Sequence, residues 1–182
     1  MKSKKLVLGI AMLLAIAFIA CGQQYDNEND FRVSPLDGGK SAEITEYVGN
    51  KQTVNIPPRI AGMTVTKIGG SEVFSARGII RITIPNTVTS IGGFEAFAYN
   101  PLISITLPAG LKEIGNCVFA GCTSLTSITI PAGVTSIGGW AFDEWTSSQT
   151  IFIKGKASQV EADAAWGTDW RDGCDARIVY GQ

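Results

Sequence analysis

Apolar and polar positions alternate in a short pattern that recurs every 23 residues through the middle of the chain. In each copy two apolar residues flank one polar residue, which is the spacing of a half-buried β-strand. A proline follows in most copies and ends the strand, because it has no N–H to donate. The triplets begin at Ile82, Ile105, Ile128 and Ile151. A looser copy begins at Val54, and its five additional residues, within 58–63, are expected to form a longer loop.

Two further columns recur within each copy. An isoleucine–glycine pair lies halfway between the triplets, where we expect the glycine to adopt a positive φ and turn the chain sharply. A phenylalanine follows, and we expect a short turn or helical piece to carry it inward. The pairs begin at Ile68, Ile91, Ile114 and Ile137, and the phenylalanines are Phe74, Phe97, Phe119 and Phe142. One coil cannot bury its own apolar side, so the coils are predicted to stack, with strands about 4.8 Å apart in a parallel sheet.

The third full copy resembles a known family. It reads Leu125-Thr126-Ser127-Ile128-Thr129-Ile130-Pro131 and continues through Val134, Ile137, Gly138, Ala141 and Phe142. This is similar to the BspA-type leucine-rich repeats. The resemblance implies a leucine-rich repeat solenoid, a right-handed β/α superhelix with short parallel strands on its concave face and no asparagine ladder. It also implies binding rather than catalysis, because such proteins are mostly associated with adhesion and protein contact at bacterial surfaces.

The repeats, residues 54–153, need capped ends to shield the apolar interior. Residues 42–53 alternate polar and apolar side chains and are predicted to be an N-terminal cap strand. Residues 154–182 are predicted to be a C-terminal cap with a helix and a closing strand. Ser158 and Glu161 have the spacing of a helix capping box. Trp166 and Trp170 are expected to cover the open end of the last coil.

The N-terminus has the pattern of a secretion signal. Lysines at positions 2, 4 and 5 precede an apolar run from Leu6 to Ala20, so residues 1–20 are predicted to be a signal peptide. The residues before Cys21 are similar to a bacterial lipobox, which predicts lipidation of Cys21; an ordinary signal peptide is the alternative. Residues 21–41 are polar and are predicted to be a flexible tether. The predicted location is the cell envelope, lipid-anchored at the outer membrane, with surface exposure left open.

Composition narrows the possible functions. Hydrophobic residues make up 45% of the 182 residues and charged ones 17%, which is too apolar for a disordered protein. The formal net charge is −1, and it becomes −4 when the three signal-peptide lysines are removed. No basic field is therefore available to bind nucleic acid. The absence of histidine removes every mechanism that needs an imidazole base and also the commonest metal ligand.

The cysteines and acidic residues that remain as candidates for catalysis or metal binding do not form a recognised site. Cys122 occupies a small apolar position of the repeat and is assigned to the core, while a disulfide to Cys117 is left open. Neither these cysteines nor Cys174 have zinc-site spacing. The adjacent Asp143 and Glu144 do not form an acid pair across a cleft. Asp26, Glu28 and Asp30 alternate as calcium ligands can, but they lack the loop glycine and the distal glutamate of a calcium hand. Asp169, Asp172 and Asp175 lack its spacing. We therefore predict no metal, no cofactor and no enzymatic activity.

The outward residues of the strands define a candidate binding face. They are Arg81, Thr83, Ser104, Thr106, Ser127, Thr129, Thr150 and Phe152. Arginine and aromatic residues dominate protein-binding hot spots, so Arg81 and Phe152 are the expected anchors. Threonine is also favoured in any solvated strand, which leaves a purely structural interpretation open. Most of the aromatics of the return segments, Phe94, Tyr99 and Trp140, are expected to be in the core.

Taken together, the sequence predicts a lipid-anchored cell-envelope protein whose solenoid is a non-catalytic protein-binding or adhesion module. The partner is expected to be a host or bacterial protein of unknown identity. The alternative is a structural or assembly lipoprotein that faces the periplasm and has no extracellular ligand.

Overall fold

The computed structural model describes residues 24–181. The predicted signal peptide and Cys21 lie outside this range. The strands are β1 (Phe31–Leu36), β2 (Ser41–Tyr47), β3 (Thr53–Asn55), β4 (Arg59–Ile60), β5 (Met63–Ile68), β6 (Arg81–Thr83), β7 (Ser90–Ile91), β8 (Ser104–Thr106), β9 (Glu113–Ile114), β10 (Ser127–Ile130), β11 (Ser136–Ile137), β12 (Thr150–Ile153) and β13 (Arg177–Tyr180). The α-helix of the described range is α1 (Gln159–Trp166), and 3₁₀ turns lie at Glu28–Asp30, Asp37–Gly39 and Asp169–Arg171.

The strands of the alternating triplets stack in parallel, which confirms the predicted solenoid. β3, β6 and β8 form one run, and β10, β12 and β13 form a second run beside it. The register joins equal positions of successive copies, for example Ile82 with Ile105 and Ile128 with Ile151. The apolar residues of the triplets are buried except for Ile105, which is half-buried. We call these six strands the first sheet.

The isoleucine–glycine pairs extend a second parallel sheet instead of forming corners. β2, β5, β7, β9 and β11 pair in that order, and β1 closes the edge antiparallel to β2. The isoleucines of this column are buried: Ile68, Ile91, Ile114 and Ile137. Each coil therefore contributes two strands, where the sequence predicted one strand and a corner.

The glycines of these pairs have a different role from the one expected. Positive φ was predicted for them, but Gly69, Gly92, Gly115 and Gly138 do not have it. A Cβ on Gly115 would lie 2.9 Å from the carbonyl oxygen of Gly92, and one on Gly138 would lie 2.7 Å from the backbone nitrogen of Asn116. Glycine is needed at Gly115 and Gly138 because the backbones of successive coils approach too closely for a side chain, whereas Gly69 and Gly92 face neighbouring side chains.

The return segments are runs of turns, and no helix occurs between residues 53 and 153. Left-handed backbone recurs at two positions per coil, occupied by Glu72, Glu95, Cys117 and Trp140, and by Ala76, Tyr99, Gly121 and Glu144. The N–H groups of these residues donate to carbonyls of the next coil, for example Glu95 to Asn116 at 3.1 Å and Tyr99 to Ala120 at 2.8 Å. We call these segments, 71–77, 94–100, 116–122 and 139–145, the turn ladder.

The phenylalanine column forms a continuous aromatic stack inside the turn ladder. Successive ring centroids lie between 5.2 and 5.8 Å apart along Phe31, Tyr47, Phe74, Phe97, Phe119 and Phe142. We call this stack the aromatic spine. At its C-terminal end Phe142 meets Trp145 and Trp170 edge-on. The rings from Phe74 to Phe142 are nearly parallel, whereas the Phe31–Tyr47 and Tyr47–Phe74 pairs are tilted by 44° and 37°. Offset and tilted ring pairs at this distance gain energy beyond the area that they bury.

A column of hydrogen-bond donors lies three residues after the phenylalanines. Asn100 Nδ2 donates to the Phe74 carbonyl at 2.7 Å, and Trp145 Nε1 donates to the Phe119 carbonyl at 2.9 Å. The Cys122 Sγ makes the equivalent contact to the Phe97 carbonyl at 3.3 Å. The resemblance implied no asparagine ladder. The structure instead has a mixed ladder in which an amide, a thiol and an indole perform the same task.

The predicted tether is wrong for its C-terminal part, because residues 31–36 form strand β1. This strand pairs with β2 along its whole length, and Phe31 is buried as the first ring of the aromatic spine. The predicted cap strand at 42–53 is strand only as far as Tyr47. An added antiparallel strand is favourable here because it satisfies the open edge of β2 and covers the end of the spine.

The acidic residues just before β1 are also part of the fold. The N–H of Asp26 donates to the Asn55 carbonyl at 2.9 Å, and the Asn55 N–H donates to Asp26 Oδ2 at 2.9 Å. Lys51 Nζ lies 2.7 Å from the other carboxylate oxygen. Asp26 therefore caps the edge of β3 with its own backbone and side chain, where the sequence predicted a solvated linker charge.

The five additional residues of the first copy form a hairpin rather than a long loop. β4 pairs antiparallel with β5. The two residues between them, Ala61 and Gly62, have φ of 50° and 79°. Two consecutive positive φ values are the geometry of a tight hairpin turn.

The C-terminal cap contains the helix and the closing strand. Ser158 Oγ accepts the Glu161 N–H, and Gly167 follows the last turn of α1 with φ of 86°. Trp166 and Trp170 are buried and meet edge-on. β13 pairs in parallel with β12, so the stack ends in an additional strand of the first sheet.

Candidate functional site

The predicted binding face is the outer face of the first sheet. The register places Arg81 beside Ser104 and Thr83 beside Thr106. In the second run it places Ser127 beside Thr150 and Thr129 beside Phe152. Arg81, Ser104, Thr106, Ser127 and Thr129 are exposed, whereas Thr83, Thr150 and Phe152 are half-buried.

The face is interrupted between β8 and β10. These strands lie side by side, but within residues 24–181 no backbone ladder joins the two runs. Ile105, in β8, is half-buried, whereas the matching Ile82 and Ile128 are buried. A break in the ladder thus exposes apolar surface in the middle of a face that otherwise carries hydroxyl groups.

Two cavities lie on either side of β8. One, of about 360 Å³, has Tyr25, Arg81, Thr83, Ser104 and Asn86 in its walls. The other, of about 500 Å³, lies over the break and is lined by Ser127, Thr129, Gly133, Lys154 and their neighbours. Both cavities share the residues Ile105, Thr106 and Leu107. We call the two cavities together the sheet groove.

The groove has an apolar floor, a hydroxyl rim and a positive charge at each end. Its charged lining residues are Arg81 and Lys154. Because no carboxylate lines it in the described residues, the local field favours anionic groups. The Thr83 hydroxyl is held by a 2.8 Å hydrogen bond to Asn55 Oδ1, so part of the rim is ordered by the neighbouring strand.

The structure gathers six of the eight predicted face residues around the groove and leaves two outside its lining. Phe152 is flanked by Thr129 on one side and by Val179 of β13 on the other, while Thr150 lies beside Arg177. Whether any of the eight residues binds a partner stays a prediction.

Two lining residues, Tyr25 and Lys154, were missed at the sequence level. Lys154 follows the last triplet, in the column that holds Pro85, Pro108 and Pro131 in the other copies, so its departure from the pattern was a usable signal. Tyr25 had no such signal. It lies in the segment interpreted as linker, and it reaches the groove because the next residue, Asp26, is hydrogen-bonded to β3.

The three cysteines within residues 24–181 are free and buried to different degrees. Cys122 is fully buried, and burial raises the pKa of its thiol to about 12, against a backbone hydrogen bond at Asn100 that lowers it. Burial also raises the pKa of Cys117 and of Cys174. All three thiols are therefore protonated at neutral pH, and the disulfide left open between Cys117 and Cys122 is not present.

The described residues show neither a cluster of metal ligands nor a membrane-spanning helix. Residues 24–181 contain no group of three or more cysteine or acidic side chains positioned to hold a metal ion. In the same range no helix combines the length and apolar character that crossing a bilayer requires.

The family model and the solved structures that match this chain all describe leucine-rich repeat proteins. A family model described as "BspA type Leucine rich repeat region (6 copies)" matches residues 66–169, which is more than half of the chain. A leucine-rich repeat protein from T. pallidum superposes with a TM-score of 0.58 at 21% identity, covering 87% of this chain and 86% of that one. A leucine-rich cell surface protein from Faecalibacterium prausnitzii gives 0.54 at 24% identity, covering 74% of this chain and 46% of that one. The comparison with curated proteins finds no match.

Proposed function

Because the chain belongs to the BspA-type leucine-rich repeat family, we propose that it is a non-catalytic protein-binding or adhesion module of the cell envelope, anchored by a lipid on Cys21. The sheet groove is the proposed contact site, with Arg81, Thr83, Ser104, Thr106, Ser127 and Thr129 around it. The structural relative named as a cell surface protein supports the envelope location.

The observation that carries the proposal is the break between β8 and β10. It joins two cavities over a common apolar floor at Ile105 and Leu107. Concave sites with an apolar floor and a few polar groups are the usual form of binding sites. A regular face of threonine and serine would offer hydrogen bonds alone, whereas this groove also offers apolar area to desolvate.

The charge of the groove indicates the chemistry of the partner. Arg81 begins β6 and Lys154 follows β12, and these strands are three apart in the first sheet, which is about 14 Å across at normal strand spacing. Lys154 also lies four residues beyond Thr150, which holds the position of Arg81 in its copy, so the two cations lie diagonally across the groove. We expect an extended polypeptide segment with an apolar side chain over Ile105 and carboxylates toward the two cations. Catalysis is not part of the proposal, because the thiols are protonated and no paired acids face the groove.

The anchor places the solenoid close to the membrane. Asp26 is hydrogen-bonded to β3, and it follows Cys21 by five residues. A chain of that length spans at most about 18 Å. A lipid on Cys21 therefore holds the N-terminal coils near the bilayer, instead of projecting them on a tether of twenty residues.

Site-specific photo-crosslinking on living cells tests the contact site. A crosslinking amino acid at the exposed Thr106 lies within the groove, and one at the exposed Thr135, before β11, lies on the second sheet as a matched control. We expect one discrete adduct from position 106 that is lost when Arg81→Glu and Lys154→Glu are added. An identical adduct from position 135, or one insensitive to the two charge reversals, contradicts the proposal.

Protease shaving of intact cells distinguishes the proposal from its alternative, a structural or assembly lipoprotein facing the periplasm. Loss of a C-terminal tag, with a periplasmic control protein intact, places the solenoid outside the cell. Survival of the tag until lysis favours the periplasmic role. Cys21→Ser tests the anchor separately, since it should move the protein from the membrane fraction to the soluble one.

A further inference from the structure

Three large aromatic side chains lie half-exposed on the outer side of the turn ladder. Phe94 and Tyr99 are each 47% exposed and Trp140 is 49% exposed. The sequence predicted that most of them belong to the core, and that prediction is wrong. Large apolar surfaces that cluster in one part of a monomer mark interaction sites more often than scattered ones do.

The hydrogen bonds of the turn ladder fix their arrangement. The left-handed column that holds Trp140 continues through Cys117 to Glu95, and the column that holds Tyr99 continues through Gly121 to Glu144. Two residues of one column that lie two coils apart, such as Tyr99 and Glu144, are separated by about 10 Å, which is twice the normal distance between strands. The Tyr99 ring lies over Gly121, where a Cβ would collide with it. One side of this ring is therefore supported by the next coil and the rest faces solvent.

The charged side chains that act on Tyr99 are carboxylates. Burial raises the pKa of Tyr99, and the carboxylates of Glu144, Glu95 and Asp143 raise it further, with no cation acting against them. In the part of the chain that the structure describes, these acids take no part in the three ion pairs. We call Phe94, Glu95, Tyr99, Trp140, Asp143 and Glu144 the acidic aromatic face.

The backbone does not require aromatic residues at these positions. Tyr99 and Trp140 have φ of 56° and 59°, a region that bulky residues rarely adopt. The column of Tyr99 also contains Gly121 at φ 66°, and the column of Trp140 also contains Glu95 and Cys117, so neither column needs an aromatic residue. Two rings are thus held in a costly conformation, about half of their surface is exposed to solvent, and carboxylates lie near Tyr99.

We propose that the acidic aromatic face is a second docking surface that binds an arginine-bearing segment of a partner protein. An arginine fits both features at once, because its guanidinium stacks on tryptophan or tyrosine and pairs with a carboxylate. A membrane surface does not fit, since anionic lipid headgroups repel this face. The inference does not depend on the sheet groove, whose cations favour a partner segment of opposite charge.

Trp140 provides a selective signal for the test. The other three tryptophans, Trp145, Trp166 and Trp170, are buried, so acrylamide quenches Trp140 preferentially. The purified full chain is titrated with a short arginine-rich peptide and with a counterpart in which glutamate replaces every arginine. We expect the arginine peptide to protect Trp140 from acrylamide and the glutamate peptide to leave quenching unchanged. Raising the salt concentration should weaken the protection, because the charges are exposed.

Variants locate the site, with anisotropy of the labelled arginine peptide as the readout. Trp140→Asn tolerates the left-handed backbone and should weaken binding about tenfold, as loss of an aromatic anchor does. Glu95→Gln with Glu144→Gln should weaken binding and reduce its salt dependence. Val160→Ser, on α1 and 77% exposed, and Arg81→Ala, in the sheet groove, are controls that should bind normally.

Four outcomes overturn the inference. One is equal or absent binding of the two peptides, and another is unchanged affinity in the folded Trp140 and glutamate variants. The third is self-association of the chain without peptide that Trp140→Asn abolishes, because the face would then belong to a second copy. Loss of binding in the Arg81 variant alone would assign the peptide to the groove and also reject this site.

Discussion

At the scale of single residues, the buried side chain of Asn100 makes more hydrogen bonds than any other side chain within residues 24–181. Its Oδ1 accepts the N–H groups of Arg77 and Ile79, and its Nδ2 donates to the carbonyls of Phe74, Phe97 and Ala98. The amide thus joins two successive coils at the inner edge of the turn ladder. Cys122 and Trp145 perform one part of this task in the following coils.

Asn100→Ala should be strongly destabilising. The substitution leaves the buried Ile79 N–H, the partly buried Arg77 N–H and the buried Phe74 carbonyl without the amide, which we expect to cost about 2–3 kcal/mol of the free energy of unfolding. Urea denaturation of the wild-type and variant proteins measures the loss. Asn86→Ala is the matched control, because Asn86 is exposed and its replacement should change stability by less than about 0.5 kcal/mol. Equal midpoints for the two variants would refute the bridging role.

At the scale of elements, one carboxylate joins the helix α1 to the 3₁₀ turn of the C-terminal cap. Asp163, on α1, accepts hydrogen bonds from Trp170 Nε1 at 3.2 Å, from Arg171 at 3.3 Å and from Gln159 at 3.3 Å. Partial desolvation raises its pKa, but these hydrogen bonds outweigh it, so the pKa of Asp163 is lowered. The ionised form is therefore the one that fastens the 3₁₀ turn to the helix.

Stability from Asp163 should disappear in acid. A carboxyl whose pKa is lowered in the folded state stabilises the fold fully above its unfolded pKa, about 3.9, and loses that contribution as the pH falls through the folded pKa. Asp163→Asn should thus be less stable than the wild type near neutral pH, and the difference should shrink below about pH 4. Thermal melts at a series of pH values give this comparison, with the exposed Asp172→Asn as control. A difference that is independent of pH would contradict the ionic role.

In the N-terminal segment, single carboxylates likewise accept backbone N–H groups at the end of the solenoid. Asp26 caps β3, and the Glu28 carboxylate accepts the Ala61 N–H at 2.7 Å. Both residues precede β1, and both satisfy backbone groups that would otherwise form an open end. An exposed strand edge pairs readily with other chains, so these contacts also protect the end of the solenoid from edge association.

At the scale of the whole molecule, one hydrophobic core runs from Phe31 to Trp170 through both caps. Repeat proteins gain stability from contacts between neighbours, and a short array with a continuous core unfolds as a unit. The aromatic spine makes this coupling direct, because each ring contacts the next from β1 to the C-terminal cap.

We expect a single cooperative unfolding transition for the chain. All four tryptophans lie between residues 140 and 170, so their fluorescence reports on the C-terminal end, whereas far-ultraviolet circular dichroism reports on all coils. The two probes should give the same midpoint in urea. Phe119→Ala, in the middle of the spine, should lower the free energy of unfolding by about 3–5 kcal/mol. Both probes should then show the same shift of the urea midpoint. Separate midpoints would show that the coils unfold independently.

The proposed groove was only partly predictable. Arg81, Thr83 and Thr106 were identified because outward positions follow from the alternation within each triplet. The break between β8 and β10 was not, since the triplets at Ile105 and Ile128 are nearly identical in sequence. Whether two adjacent strands form a ladder depends on the distance between their backbones, which the packing of whole coils sets.

The sequence by itself determined the repeat, the parallel stacking and the inward columns, because one coil equals one period and like residues must align. It did not determine the conformation of the return segments. Left-handed backbone at Glu95, Tyr99 and Trp140 is stabilised by hydrogen bonds to the next coil, so it exists only in the assembled stack. The same holds for residues 24–36, which have no repeat and acquire structure from the sheet edges that they cover. Local patterns therefore determined which residues face inward in each coil, whereas the return segments and the N-terminal segment depend on contacts with neighbouring strands.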